Sequence, residues 1–306
     1  MLPSPHTSRR RVLITGGTGL LGKALLEAVP EAMEATATWH RRPPQEWAHR
    51  FLPLEVTDPA AVRQLLSETR PNAVIHAASI GAVDEAERDP ERVWQINVLG
   101  TQHIAEAARR AGAFLVYISS NAVFDGTSPP YREDAPLRPA NRYGALKAEA
   151  EERIRASAAA HLIVRPILLY GWPFPGGREN VVARWLTDLE QGRTVRAAQD
   201  LFSMPLLVTQ CAQVIWEALA RGLEGFLHVA GADRISLFEF AREVARAFDC
   251  PQGLVVPVPG NELPVLAARP PDTSFVTDRV QRDLGIRPIG VREGLQLMRR
   301  ARIPVA

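Results

Sequence analysis

Short apolar runs alternate with stretches of helical periodicity through the first half of the chain. Val12 to Thr15 reads as a buried strand, glycines follow at once, and apolar positions then recur at helical spacing from Leu20 to Val29. Further strands are predicted at 35–39, 51–54, 73–77, 114–118 and 162–165. Between them lie helices. Asp58 and Pro59 open one, as N-cap and first helical residue. A long helical stretch covers about 84–111, with a break expected near Asp89 and Pro90. Another helix carries Tyr143 and Lys147 and ends near 158. Strands and helices alternating at this spacing predict an α/β fold: a doubly wound parallel sheet of the Rossmann type.

After Tyr170 the rhythm changes. Residues 171–177 read as a loop from their Gly and Pro content. Helices are predicted at 181–190, 210–220 and 236–248, the last capped by Ser236, and a strand at 226–229. The Pro-rich stretch 255–271 reads as irregular. The predicted organisation is a cofactor-binding Rossmann domain over 9–170, to which 206–230 returns. A smaller C-terminal substrate lobe is assembled from 171–205 and 231–306.

Composition narrows the class. Of the 306 residues, 46% are hydrophobic and 23% charged, which is ordinary for a globular chain. A net charge of +2 gives no reason to expect nucleic acid or a membrane surface as partner. The two cysteines, Cys211 and Cys250, are far apart and have no His-rich neighbourhood, so no metal site is expected. There is no apolar signal core at the start and no membrane-length apolar run, so a cytoplasmic location is expected.

Two motifs carry chemistry. The glycines between Thr15 and Gly22 fit two registers, Gly16/Gly19/Gly22 and Gly17/Gly19/Gly22. In either, glycine permits a tight turn and lets backbone N–H groups approach a dinucleotide pyrophosphate. Tyr143 and Lys147 stand four residues apart, on one helix face. A phenol beside an ammonium is an acid/base pair suited to a carbonyl or alcohol while a nicotinamide moves the hydride. The place for a ribose-binding acid, after the second strand, holds His40, Arg41 and Arg42 instead. Guanidiniums there suit a 2′-phosphate, which favours NADP(H) over NAD(H). Ser119 and Ser120 end the fifth strand, where a hydroxyl can orient a substrate carbonyl. Asn97 is a poor helix former inside a helical stretch; it either holds a backbone carbonyl or a water near Lys147 or faces solvent. His76 closes the fourth strand beside the expected cofactor groove, either as a functional residue or as a hydrogen-bonded core histidine.

The glycine run, His76-Ala-Ala78, Ile96-Asn-Val-Leu-Gly-Thr101, Ile118 to Gly126 and Tyr143-Gly-Ala-Leu-Lys147 occur in that order. Together they resemble the extended short-chain dehydrogenase/reductase superfamily. Within it the chain is similar to the dTDP-4-dehydrorhamnose reductases and the related β subunit of methionine adenosyltransferase. Pro129 to Glu133 and Arg269-Pro270 belong to the same likeness. The resemblance implies Tyr143 as general acid, Lys147 as the group that lowers its pKa and binds the nicotinamide ribose, and Ser120 as the third catalytic residue. It implies a cofactor set of Gly16, Thr18, Gly19, Leu20, Leu21, Gly22, His40, Arg41, Arg42, Glu55, Val56, Ala77, Ala78 and Asn97, with Tyr143 and Lys147. On the substrate side it implies Asn121, Arg178, Asn180, Phe202 and Pro205. Two departures stand out. Asn121-Ala122 replaces the reductases' Asp-Tyr, and the stretch Asp200 to Leu206 lacks their Gln and Thr. Both remove polar groups from the sugar side.

The implied activity is NADPH-dependent reduction of a 4-keto nucleotide sugar or a similar carbonyl. One alternative is a nucleotide-sugar epimerase or dehydratase; another is a non-catalytic, cofactor-binding regulatory subunit. The expected partner is a small molecule, and the reading leaves room for a homodimer.

Overall fold

Seven parallel strands form the central sheet, and the inner ones are buried on both faces, which is why they read as unbroken apolar runs. In this computed structural model, residues 9–41, 43–44, 48–157, 160–174 and 176–302 are described. The strands are β1 (Arg10–Thr15), β2 (Met33–Trp39), β3 (Arg50–Pro53), β4 (Ala73–His76), β5 (Phe114–Ile118), β6 (His161–Pro166) and, much later in the chain, Gly225–Val229. Their order across the sheet is Gly225–Val229, β6, β5, β4, β1, β2, β3. The connectivity reverses between β1 and β4, and a crevice outside their carboxyl ends is where such sheets bind ligands.

Helix α1 (Leu20–Glu27) covers one face, joined there by the later helix Val208–Ala220, whose Trp216 Nε1 donates to the Leu25 carbonyl at 3.0 Å. Helix α2 (Pro59–Thr69) covers the other. Asp58 caps it by accepting from Ala60 and Ala61, and Pro59 is its first residue. The stretch predicted as one long helix is broken at Asp89, which caps the helix that Pro90 begins. It becomes α3 (Val83–Arg88), α4 (Pro90–Trp94), a π-helical turn over Gln95–Leu99, and α5 (Gly100–Ala111). Helix α6 (Arg142–Ala156) packs beside α5.

The later part of the chain has its own core. Helices α7 (Val181–Glu190) and α9 (Leu237–Ala247) enclose Trp185, Leu186, Phe240 and Val244 with Leu295. Ser236 caps α9 in a capping box with Glu239, as its position in the sequence predicts. The helix at 208–220, α8, starts two residues before the predicted 210. One expectation fails here. The Pro-rich stretch is not wholly irregular, because Val255–Val258 pairs in parallel with Val195–Ala198. Pro257 is tolerated in this two-stranded pair because each strand has an open edge. No described helix is long and apolar enough to cross a membrane.

Candidate active site

The loop after β1 turns so tightly that three of its four glycines are required by the fold itself. A Cβ on Gly16, whose φ is +74°, would stand 2.8 Å from the Ala78 backbone. One on Gly17 would meet the Ala37 side chain at 2.6 Å, and one on Gly22 would meet the Gly16 carbonyl oxygen at 2.2 Å. Gly19 differs: it is exposed, and the Gly16 carbonyl at 3.2 Å is the one atom near its Cβ position. Gly19 is also the N-cap of α1, and no side chain caps this helix. The first N–H groups of α1, from Leu20, Leu21 and Gly22, therefore face the crevice without an internal acceptor, the arrangement that receives an anion. This cradle fits a dinucleotide pyrophosphate. Thr18 is half-buried beside it, and Leu21 and Gly22 are buried.

At the end of β2, His40 and Arg41 are exposed. Arg41 has no ion-pair or hydrogen-bond partner among the described residues. Arg42 lies outside the described residues. His40 Nε2 stands 2.7 Å from Glu55 Oε2, and Thr57 binds the other carboxylate oxygen at 2.8 and 3.0 Å. Burial works to raise the Glu55 pKa, but the hydrogen bonds from Thr57 and the nearby His40 outweigh it, so Glu55 sits below the usual carboxylate range. Val56 is buried against Gly100, and its carbonyl contacts His103 Nδ1, so its side chain belongs to the core.

Ala77 and Ala78 lie across from the glycine loop. The Ala78 N–H donates to Thr15 Oγ1, which also bonds His76 Nδ1 at 2.7 Å, while His76 Nε2 bonds Thr101 Oγ1 at 3.0 Å. Burial, with Lys147 nearby, lowers the His76 pKa to about 3. His76 is thus a neutral core residue whose two nitrogens tie β4 to β1 and α5. Asn97, fully buried on the π-helical turn, binds both backbone groups of Ile80, at 2.8 and 3.0 Å. Its amide holds the loop after β4 in place.

Tyr143 and Lys147 are brought to this crevice by α6. Asn141 caps the helix, accepting from the Gly144 N–H at 2.9 Å. Gly144 is there because a Cβ would collide with the Ala122 carbonyl oxygen at 2.0 Å. That close approach seats the first turn of α6 on the turn Asn121–Val123, which follows Ser120 directly. Ser120 consequently lies beside the Tyr143 hydroxyl, near enough to favour its phenolate, while its own Oγ accepts from the Ala122 N–H at 3.1 Å. Burial raises the Tyr143 pKa to about 12, opposed by neighbouring Ser120 and by the charge of Arg178. Lys147 is 2% exposed. Its Nζ donates to the Ile118 carbonyl at 2.9 Å and the Tyr117 hydroxyl at 3.3 Å. Burial lowers its pKa to about 8, against the opposing pull of Glu151.

Sequence reasoning passed over what lies behind this pair. Glu151, 1% exposed, accepts from Ser119 Oγ at 2.5 Å and binds Arg165 through two bonds of 2.9 and 2.7 Å. Its place four residues after Lys147 was the available signal, since it stacks a third ionisable group on one helix face.

The expected substrate-side residues divide. Arg178 is exposed, close enough to Tyr143 for its charge to be felt, and without a hydrogen-bond partner among the described residues. The others are engaged within the protein. Asn180 caps α7 through Val182 and Ala183, and its amide nitrogen donates to the Gly171 carbonyl at 2.7 Å. Asn121 donates to Thr273 Oγ1 at 2.6 Å. Phe202 is covered by the Arg234 guanidinium, 4.0 Å from its ring centre. Pro205 is buried, its carbonyl against Gly231. Two open grooves, of about 610 and 850 Å³, lie elsewhere, one lined by Arg11, Glu34 and Arg70 and the other by Arg242, Glu243 and Arg292. The first lies at the amino ends of β1, β2 and β3, away from this crevice, and in the second Arg246 and Arg292 pair with Glu243 and Arg287 with Glu293.

Known proteins extend these observations along the whole chain. The chain is 32% identical over 306 residues to methionine adenosyltransferase 2 subunit beta of Xenopus tropicalis, covering 94% of this chain and 87% of that one. It is 32% identical over 285 residues to a probable dTDP-4,6-dihydroxy-2-methyloxan-3-one 4-ketoreductase of Streptomyces antibioticus, covering 91% and 90%. The crystal structure of dTDP-4-dehydrorhamnose reductase from Bacillus anthracis in complex with NADP superposes with a TM-score of 0.86 at 28% identity, over 96% of this chain and 100% of the other. Residues 10–302 match the RmlD substrate binding domain, and with that match covering nearly its full length the chain belongs to the RmlD substrate binding domain family.

Proposed function

We propose that this protein is an NADP(H)-dependent reductase of a 4-keto nucleotide sugar or a similar carbonyl, with Tyr143, Lys147 and Ser120 as its catalytic residues. The observation that carries the reading is the convergence of Tyr143, Ser120 and the buried Lys147 beside an uncapped glycine-loop helix. When bound, a reduced nicotinamide supplies the hydride for the carbonyl carbon. Leu20, Leu21 and Gly22 would receive its pyrophosphate through their N–H groups, and Arg41, with Arg42, the 2′-phosphate. The solved NADP complex of a family relative supports this choice of cofactor.

Ser120 and Tyr143 place two hydroxyls around one carbonyl oxygen. Ser120 orients it, and Tyr143 donates the proton as negative charge develops there. A phenol with a pKa near 12 remains acid enough for this, because an alkoxide is a far stronger base than a phenolate. Lys147 and Arg178 contribute positive charge that stabilises the phenolate left behind. The residues 9–170 would form the cofactor domain and 171–205 with 231–306 the substrate lobe. On the substrate side, the engagement of Asn121 and Asn180 within the protein favours a carbonyl less polar than the rhamnose precursor.

A regulatory role is the second reading, favoured by the full-length similarity to a methionine adenosyltransferase β subunit. Epimerase or dehydratase chemistry is less well supported, because Glu55 is held by His40 and Thr57 and no acid follows β2 at the ribose position. The test is NADPH oxidation with a dTDP-4-keto-6-deoxyhexose and a panel of simpler ketones. Tyr143→Phe should lower turnover by about 10²–10⁴-fold while NADPH still binds. Tight NADPH binding with no oxidation on any carbonyl turns the assignment to the regulatory role.

A further inference from the structure

Lys147 poses an electrostatic problem that its hydrogen bonds do not solve. An ammonium shut away from water needs a counter-charge, and its two acceptors, the Ile118 carbonyl and the Tyr117 hydroxyl, are neutral. Tyr143 and Glu151 face it from α6, Tyr117 from β5 and His76 from β4. Burial holds the Tyr117 phenol far above its ordinary range, Tyr143 is likewise raised, and His76 is neutral. Farther out, Arg165 on β6 touches Glu151, and Arg178, before α7, acts on Tyr143. Glu151 is thus the one acid among these groups. It is fixed from two sides, by the bidentate Arg165 guanidinium and by Ser119, the neighbour of Ser120.

We propose that Glu151 is a positioning residue: the buried counter-charge that keeps Lys147 an ammonium, held in register by Arg165 and coupled through Ser119 to the strand end that presents Ser120. The cluster Lys147, Glu151 and Arg165 carries one net positive charge while Tyr143 is a phenol, and is balanced once Tyr143 becomes a phenolate. Loss of the carboxylate makes Lys147 easier to deprotonate, so its titration moves to lower pH. The proposal deepens the reductase reading and rests on it only for the task Lys147 performs.

The chain makes the test unusually clean, because Lys23 and Lys147 are its only lysines. Carbon-13 labelling at lysine Cε gives two signals, and the exposed Lys23–Glu27 pair serves as internal reference. In the native protein Lys147 should titrate near pH 8. A fully buried lysine without a counter-charge titrates near about 5–6, and a native midpoint there overturns the proposal. Glu151→Gln strands Arg165, so the double variant Glu151→Gln/Arg165→Met is measured beside it; replacing both members of a buried pair usually preserves the fold. In either folded variant the Lys147 midpoint should fall by about one pH unit or more, with Lys23 unmoved. An unchanged midpoint in a folded variant overturns the proposal. Where NADPH oxidation is observed, its alkaline limb should move with the resonance. Because the readout is the lysine itself, a protein that reduces no carbonyl still tests Glu151, and an unmoved lysine leaves the reductase reading standing.

Discussion

Helices α1 and α7 both begin beside a glycine-containing loop, yet their first turns are finished differently. At α7 the Asn180 side chain satisfies the N–H groups of Val182 and Ala183 and reaches back to the Gly171 carbonyl. At α1 the cap is Gly19, no side chain takes its place, and the loop backbone is folded so closely that Gly22 touches Gly16. A helix start that the protein caps for itself is a structural joint; one left open on an exposed glycine is prepared for an external anion. The same contrast separates the two halves of the site, with donors left available around the glycine loop and, Arg178 apart, the substrate-side polar groups engaged within the protein.

The largest effects should come from the glycines. Gly22→Ala drives a methyl into the Gly16 carbonyl and should destabilise the protein by about 1–3 kcal/mol, seen as a lowered denaturation midpoint. Gly19→Ala meets much less and should leave stability nearly unchanged while weakening NADPH binding. Equal loss of stability in the two variants would erase the distinction between a fold-required and a ligand-facing glycine. Next in size, Arg41→Ala should weaken NADPH about tenfold, the worth of one charge-assisted contact, and leave NADH affinity almost unchanged by calorimetry. Parallel weakening of both cofactors would remove the 2′-phosphate from Arg41. Asn180→Ala should cost about 1 kcal/mol of stability through the lost cap, with NADPH affinity unchanged. If it instead leaves stability alone and raises KM for a keto-sugar, α7 has the ligand-binding role proposed for the open end of α1.

Local signals were legible in the sequence. The glycine spacing, the Tyr143–Lys147 stagger, the Asp58 and Ser236 caps and the break at Asp89 and Pro90 all act within a few residues, and the structure shows those caps and that break where the residues place them. What escaped depends on distant partners. Val255–Val258 becomes a strand only because Val195–Ala198 lies beside it, and its prolines concealed that. Asn121 and Asn180 were expected at the substrate because side-chain type does not reveal that Thr273 or a helix terminus is waiting for them. Nothing near Glu151 in the sequence shows that Arg165 and Ser119 meet it in the interior.

The last strand of the main sheet has a consequence for how the protein is made. β6 ends at Pro166, but the strand that closes its free edge begins at Gly225. At about 5–20 residues per second, ribosomes need several seconds to supply the intervening chain, and through that interval the nascent sheet shows an unpaired edge. Such an edge is a template for pairing with other chains. Fragments cut near residue 170 would carry the same exposed edge permanently, so the first half of the chain should aggregate when expressed alone, however complete its glycine loop.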